Sequence, residues 1–167
     1  MTPRRSQLAA VALTASAALA LGGCSFTNPV MTLQPYSGGD GVRAELREGA
    51  VIVENLMLLT EAEGEAGFVL GSLVNRTSSD VEITLDLDGL VESFEVPAAG
   101  TVNLMEENLT IAEITVAPGG KLTGTLSTPE DGSIQVQAPV LDGTVPPYDE
   151  YLDAVTTGET WVPRSQN

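Results

Sequence analysis

Val81-Glu82-Ile83-Thr84-Leu85-Asp86-Leu87-Asp88 sets an apolar side chain at every second position, with acids and a threonine between them. Successive side chains of an extended strand point to opposite faces, so this period of two puts Val81, Ile83, Leu85 and Leu87 in a core and their neighbours in water. A helix would scatter the same four apolar residues around its cylinder. The stretch is read as a strand. Just upstream, Phe68-Val69-Leu70-Gly71-Ser72-Leu73-Val74 is a second, more buried run. Between them Asn75-Arg76-Thr77-Ser78-Ser79-Asp80 carries turn chemistry, because short polar side chains bond back to nearby backbone. The two runs are expected to form a hairpin.

The pattern repeats outward. Further candidate strands are Val42–Leu46, Val51–Leu59, Ser93–Val96, Thr101–Leu104, Ala112–Val116, Leu122–Ser127 and Ser133–Val140. Glu48-Gly49, Glu63-Gly64, Asp88-Gly89, Pro118-Gly119-Gly120 and the 129–132 turn punctuate them. Leu56-Met57-Leu58-Leu59 could form a helical turn, but the β-branched Val51-Ile52-Val53 before it favours strand. Many short strands with no sustained 3.6-residue period predict an all-β, antiparallel sandwich over residues 40–142, of immunoglobulin-like size. Residues 143–167 form a Pro-rich acidic tail, in which Pro147, Asp149 and Glu150 permit a short helix through Val155. The rest of that tail is expected to be disordered, and the tail aromatics Tyr148, Tyr151 and Trp161 to dock loosely on the domain or stay mobile.

Composition removes whole classes of function. The chain has 167 residues, 23 Asp plus Glu, 7 Lys plus Arg, no histidine and one cysteine. Without histidine there is no imidazole metal site and no Ser-His or Cys-His catalysis. One cysteine excludes an internal disulfide and any multi-thiolate cluster. A net charge of −16 argues against electrostatic binding of nucleic acid.

The first residues read as an address. Arg4 and Arg5 precede an uncharged, alanine-rich run from Leu8 to Gly23, the layout of a signal peptide over residues 1–23. Arg4-Arg5 also allows a twin-arginine reading, which Ser6-Gln7-Leu8 fits poorly. The run ends Leu21-Gly22-Gly23-Cys24, which resembles the lipobox of bacterial lipoproteins. That resemblance implies a diacylglycerol thioether on Cys24, cleavage before it, and attachment to the outer face of the cell membrane. A spanning helix is the alternative, but the run is short and weakly apolar for one. Cleavage would remove two arginines and no acid, so 23 acids against five bases leave a mature charge of −18. Residues 24–39 then read as lipidated cysteine and tether, reaching on the order of 20 Å as a coil, with an extra strand near Val30–Leu33 as the alternative.

Tyr36-Ser37-Gly38-Gly39-Asp40-Gly41-Val42, Val53-Glu54-Asn55-Leu56, Gly71-Ser72-Leu73-Val74-Asn75 and Val136-Gln137-Ala138-Pro139-Val140-Leu141 follow one another in that order, before Pro146-Pro147-Tyr148. In this the chain resembles small actinobacterial cell-envelope lipoproteins of uncharacterised function. Some of these are grouped with periplasmic copper chaperones, whose cupredoxin-like sandwich binds Cu(I) through histidine and methionine. The resemblance implies a cupredoxin-like sandwich here, but the histidine ligands are missing. Of the mature methionines, Met31 lies in the tether, and Met57 and Met105 stand in apolar contexts that suit core packing.

No residue is assigned a catalytic, cofactor or metal role. The acid groups Asp86/Asp88, Glu61/Glu63/Glu65, Glu106/Glu107 and Asp149/Glu150 read as solvated faces and turns, and no EF-hand spacing occurs. Asp86 and Asp88 are expected to guard a sheet edge. Lys121 has no Ser-x-x-Lys partner. The expectation is a non-enzymatic, lipid-anchored binding or assembly domain whose partners are the membrane and an unknown envelope protein or ligand. A metal-handling protein with non-histidine ligands is the alternative.

Overall fold

The computed structural model of the chain describes residues 39–157. The leader, Cys24, Met31, the Val30–Leu33 segment and Trp161 fall outside them. Nine strands follow in order: β1 (Val42–Leu46), β2 (Val51–Thr60), β3 (Gly67–Asn75), β4 (Val81–Leu87), β5 (Leu90–Val96), β6 (Thr101–Asn103), β7 (Thr110–Ile111), β8 (Lys121–Thr128) and β9 (Gly132–Leu141). One helix, α1 (Tyr148–Thr157), closes the described chain.

The strands form two layers with one shared member. β2 pairs with β1 and β3, and β3 also carries β6 and β7. β4 lies between β5 and β8, and β8 pairs with β9. β9 then crosses: after pairing with β8 through Pro139, it sets Val140 and Leu141 parallel to Leu58 and Leu59 of β2. The all-β sandwich is therefore antiparallel but for this one parallel contact. Val53, Leu58, Val69 and Leu73 of one layer meet Ile83, Leu85, Leu126 and Val136 of the other in a single buried core.

The alternation in β4 lies where the sequence puts it, with Ile83, Leu85 and Leu87 buried and Glu82 and Asp86 exposed. Its partners differ from the expectation. β3 and β4 are not a hairpin; they belong to different layers, and residues 76–80 arch from one to the other. The turn chemistry is real, but Asn75 spends it on the arch. Its side chain is fully buried, donates from Nδ2 to the carbonyls of Ser79 (2.8 Å), Val96 (3.0 Å) and Pro97 (3.1 Å), and accepts from the Thr77 amide and hydroxyl. The hairpin partner of β4 is β5, joined through Asp88-Gly89 with φ of 49° and 85°, both left-handed as a two-residue hairpin requires.

Two further expectations are corrected. Flanked by β5 and β8, β4 is not an edge, so Asp86 and Asp88 guard none. Asp88 sits in the turn, and its carboxylate accepts the amide (2.7 Å) and hydroxyl (3.0 Å) of Thr115. Ala112–Val116 alternates like a strand, and Ile114 is buried as that pattern requires. Its backbone nonetheless bonds to loops, with the Ile114 amide on Glu65 and its carbonyl taking the Gly64 amide. The strand there is only Thr110–Ile111.

Removing the Asn75 side chain leaves carbonyls of the arch and of the end of β5 without their donor, that of Val96 in a buried site. Asn75→Ala is expected to lower the unfolding free energy by about 3 kcal/mol. Asn75→Asp should cost at least as much, since it aims a carboxylate oxygen at carbonyl oxygens. Urea denaturation of the two variants beside the parent measures both.

Candidate functional site

The site begins with one surplus residue in β2. Glu54 pairs with Ser72 and Met57 with Leu70, so three steps on β2 oppose two on β3. This is a β-bulge, and Asn55 takes it up with φ of 53°, a left-handed conformation that asparagine tolerates. Opposite it Gly71 has φ of 140°, and a Cβ there would stand 3.1 Å from the Leu56 Cα. The consequence is a change of parity. Val51 and Val53 face the sandwich core, and beyond the bulge so do Leu56 and Leu58. Met57 and Leu59 are turned out to the other face, beside Phe68 and Leu70 of β3.

That outer apolar face needs a cover, and α1 supplies it. Tyr151 and Leu152 are 8% and 4% exposed against Met57, Leu59, Phe68 and Leu70, with Tyr148, Met105 and Leu141 packed at the margin. Tyr151 stacks on Phe68 at 6.5 Å between ring centres, and Tyr148 tilts against Tyr151 at 6.4 Å. The beginning of the tail is thus docked, not loose. Its helix matches the expected position.

Between α1, the bulge and the turn after β6 a groove of about 300 Å³ stays open, lined by Asn55, Met57, Leu70, Met105, Tyr148 and Tyr151 among others. That is the lower end of the usual size for a small-molecule site. Its rim is polar. Asn55 Oδ1 accepts the Gly41 amide at 2.8 Å, and the chain passes so close that a Cβ on Gly41 would sit 2.4 Å from the Asn55 carbonyl carbon. The Tyr148 hydroxyl donates to the Asp40 carboxylate. Across the groove Asn103 Nδ2 donates to Glu106 at 3.3 Å. Burial first, and the Asp40 carboxylate second, push the Tyr148 phenol up to about 12. Burial raises Tyr151 as well.

Met57, 4% exposed, is packed in the apolar cluster under α1 with Met105 at its margin, as core packing requires, and both also line the groove on the outer face. Of the acid groups singled out in the sequence, Glu106 reaches its rim through Asn103. Glu61 lines a separate acidic hollow with Asp142, Asp149 and Asp153, and among the described residues no three Asp, Glu, Cys or His come together in a metal-holding group. Ser93 spends its hydroxyl on Thr84, and Lys121 is exposed at the start of β8. The groove-forming roles of Asn55, Tyr148 and Tyr151 were not read from the sequence. The available signal was that β2 and β3 are apolar on both faces, as strands covered on both sides must be.

No family model and no curated protein matches this chain. Among solved structures it is similar to the copper-bound PCuAC domain from PmoF2, at 15% identity and a TM-score of 0.47, over 60% of this chain and 97% of that one. The apo PmoF2 PCuAC domain matches at 14% identity and the same TM-score, over 62% and 97%.

The raised Tyr148 phenol fixes a pH dependence. A pKa higher in the folded than in the unfolded chain gives stability that is complete below pH 10 and lost as pH rises toward about 12. The melting temperature of the parent is expected to fall across that window more steeply than that of Tyr148→Phe. Thermal melts at stepped pH compare them directly.

Proposed function

We propose that this chain is a lipid-anchored binding protein of the extracytoplasmic face, in which Cys24 carries the anchor and the groove beneath α1 receives a ligand or an envelope partner. The groove is the observation that carries the binding half. It combines an apolar floor with a few convergent polar groups, the usual composition of a ligand site. The lipobox-like Leu21-Gly22-Gly23-Cys24 supports the anchored half. Two or more acyl chains hold a protein stably at a bilayer, and a strongly acidic body is repelled by anionic headgroups, so residues 25–39 would hold it off the surface.

A second reading rests on Met57 and Met105 sharing the groove, since two thioethers are soft ligands for Cu(I). On the first reading Cu(I) gives no thermal stabilisation. Stabilisation that is lost in Met57→Leu and in Met105→Leu would select the second.

Cys24→Ala is expected to move the protein out of the membrane fraction, and intact-mass measurement of the native protein should find diacylglycerol on a chain that begins at Cys24. A photo-crosslinker at Met105 should capture a partner or ligand in cells that the same group at Val91, exposed on β5, does not. An unmodified thiol with the leader attached would overturn the anchor, and equal capture at both positions would overturn the groove.

A further inference from the structure

We propose that the groove beneath α1 selects an organic cation, a small amine or quaternary ammonium with an apolar body. This rests on the reading of the groove as the binding site and names the class of its ligand. Four observations converge on it. The floor is apolar and polarisable, from Met57, Leu70 and Met105. The wall is aromatic, from Tyr148 and Tyr151. Among the described residues, no lysine or arginine lines it. Two of the polar groups of its rim end on a carboxylate, the Tyr148 hydroxyl on Asp40 and the Asn103 amide on Glu106.

The physical consequences add. A cation over a tyrosine face is attracted by the ring's negative quadrupole. A phenol that donates its proton to a carboxylate has a more electron-rich ring, so Asp40 strengthens the attraction without touching the ligand. The rim carboxylates supply charge at longer range, and the acidic surface of the domain favours approach of a cation. Methionine and leucine shelter an alkyl body but give an anion no donor. An anionic ligand would meet carboxylates, and a neutral one would gain the apolar floor and the polar rim but no attraction to ring faces or carboxylates.

The full chain in dodecyl maltoside micelles, at constant ionic strength, is titrated calorimetrically with choline, with its neutral isostere 3,3-dimethyl-1-butanol, and with the anionic 3,3-dimethylbutanoate. Choline is expected to bind about tenfold more tightly than the alcohol, and the carboxylate not at all. Tyr148→Leu should remove most of the choline affinity, and Asp40→Asn should weaken it severalfold while leaving the alcohol unchanged. Equal binding of choline and the alcohol overturns the cation preference and leaves the groove a binding site. Choline binding that survives Tyr148→Leu overturns the location. No binding by any probe overturns the inference, and the broader reading falls with it only if crosslinking at Met105 is also empty.

Discussion

One surplus residue in β2 decides what the molecule can present to its surroundings. Side chains on a strand alternate, so inserting Asn55 reverses the inside and outside of everything after it until the strand ends. With strict alternation from Val51 and Val53, Met57 and Leu59 would enter the sandwich core and Leu56 and Leu58 would leave it. The bulge inverts this. It also places the Asn55 side chain where it catches the incoming chain at Gly41, so the same residue turns Met57 outward and builds the rim above it. Asparagine suits both tasks, because it tolerates a left-handed backbone and carries an acceptor on a short arm.

The two layers are held in their relation by a second asparagine. Asn75 ends β3, and its amide group collects carbonyls from the arch and from the end of β5. A fully buried side chain with every bond satisfied specifies one geometry sharply, since each shifted alternative leaves a polar group dry and unpaired. Residues 76–80 can therefore arch between the layers with no ladder of their own. The crossing of β9 closes the other side, where Val140 and Leu141 join β2.

What was legible in the sequence was local. The period-two pattern of β4, the Asp88-Gly89 turn and the extent of β1, β2 and β8 follow from side-chain alternation and turn stereochemistry, which act within a few residues. Pairing is a different matter. Phe68–Val74 and Val81–Leu87 are neighbours in sequence with a polar turn between them, and an arch uses the same residue types as a hairpin. Only the long-range partners of Asn75, some twenty residues on, separate the two. Ala112–Val116 illustrates the same limit: burial of Ile114 matches a strand, while its backbone partners lie on another loop. The groove was hidden for a related reason: the packed role of Met57 and Met105 follows from their apolar contexts, but which face they pack on is set only by the bulge and the tail helix together.

The helix is the conditional part of this arrangement. Ten residues with Asp149, Glu150 and Asp153 would be marginal as a helix in isolation, although acids in the first turn suit its dipole. Its order comes from burying Tyr151 and Leu152 on the face that the bulge exposes. In return that face escapes water, which an apolar patch of this kind needs in order to avoid association. The contact of Tyr148 with Asp40 then ties the helix to the point where the described chain begins. Sandwich, entering chain and tail helix thus meet at one groove. Its shape depends on all three being in place, so a ligand that bridges them would stabilise the docked helix and the entering segment together.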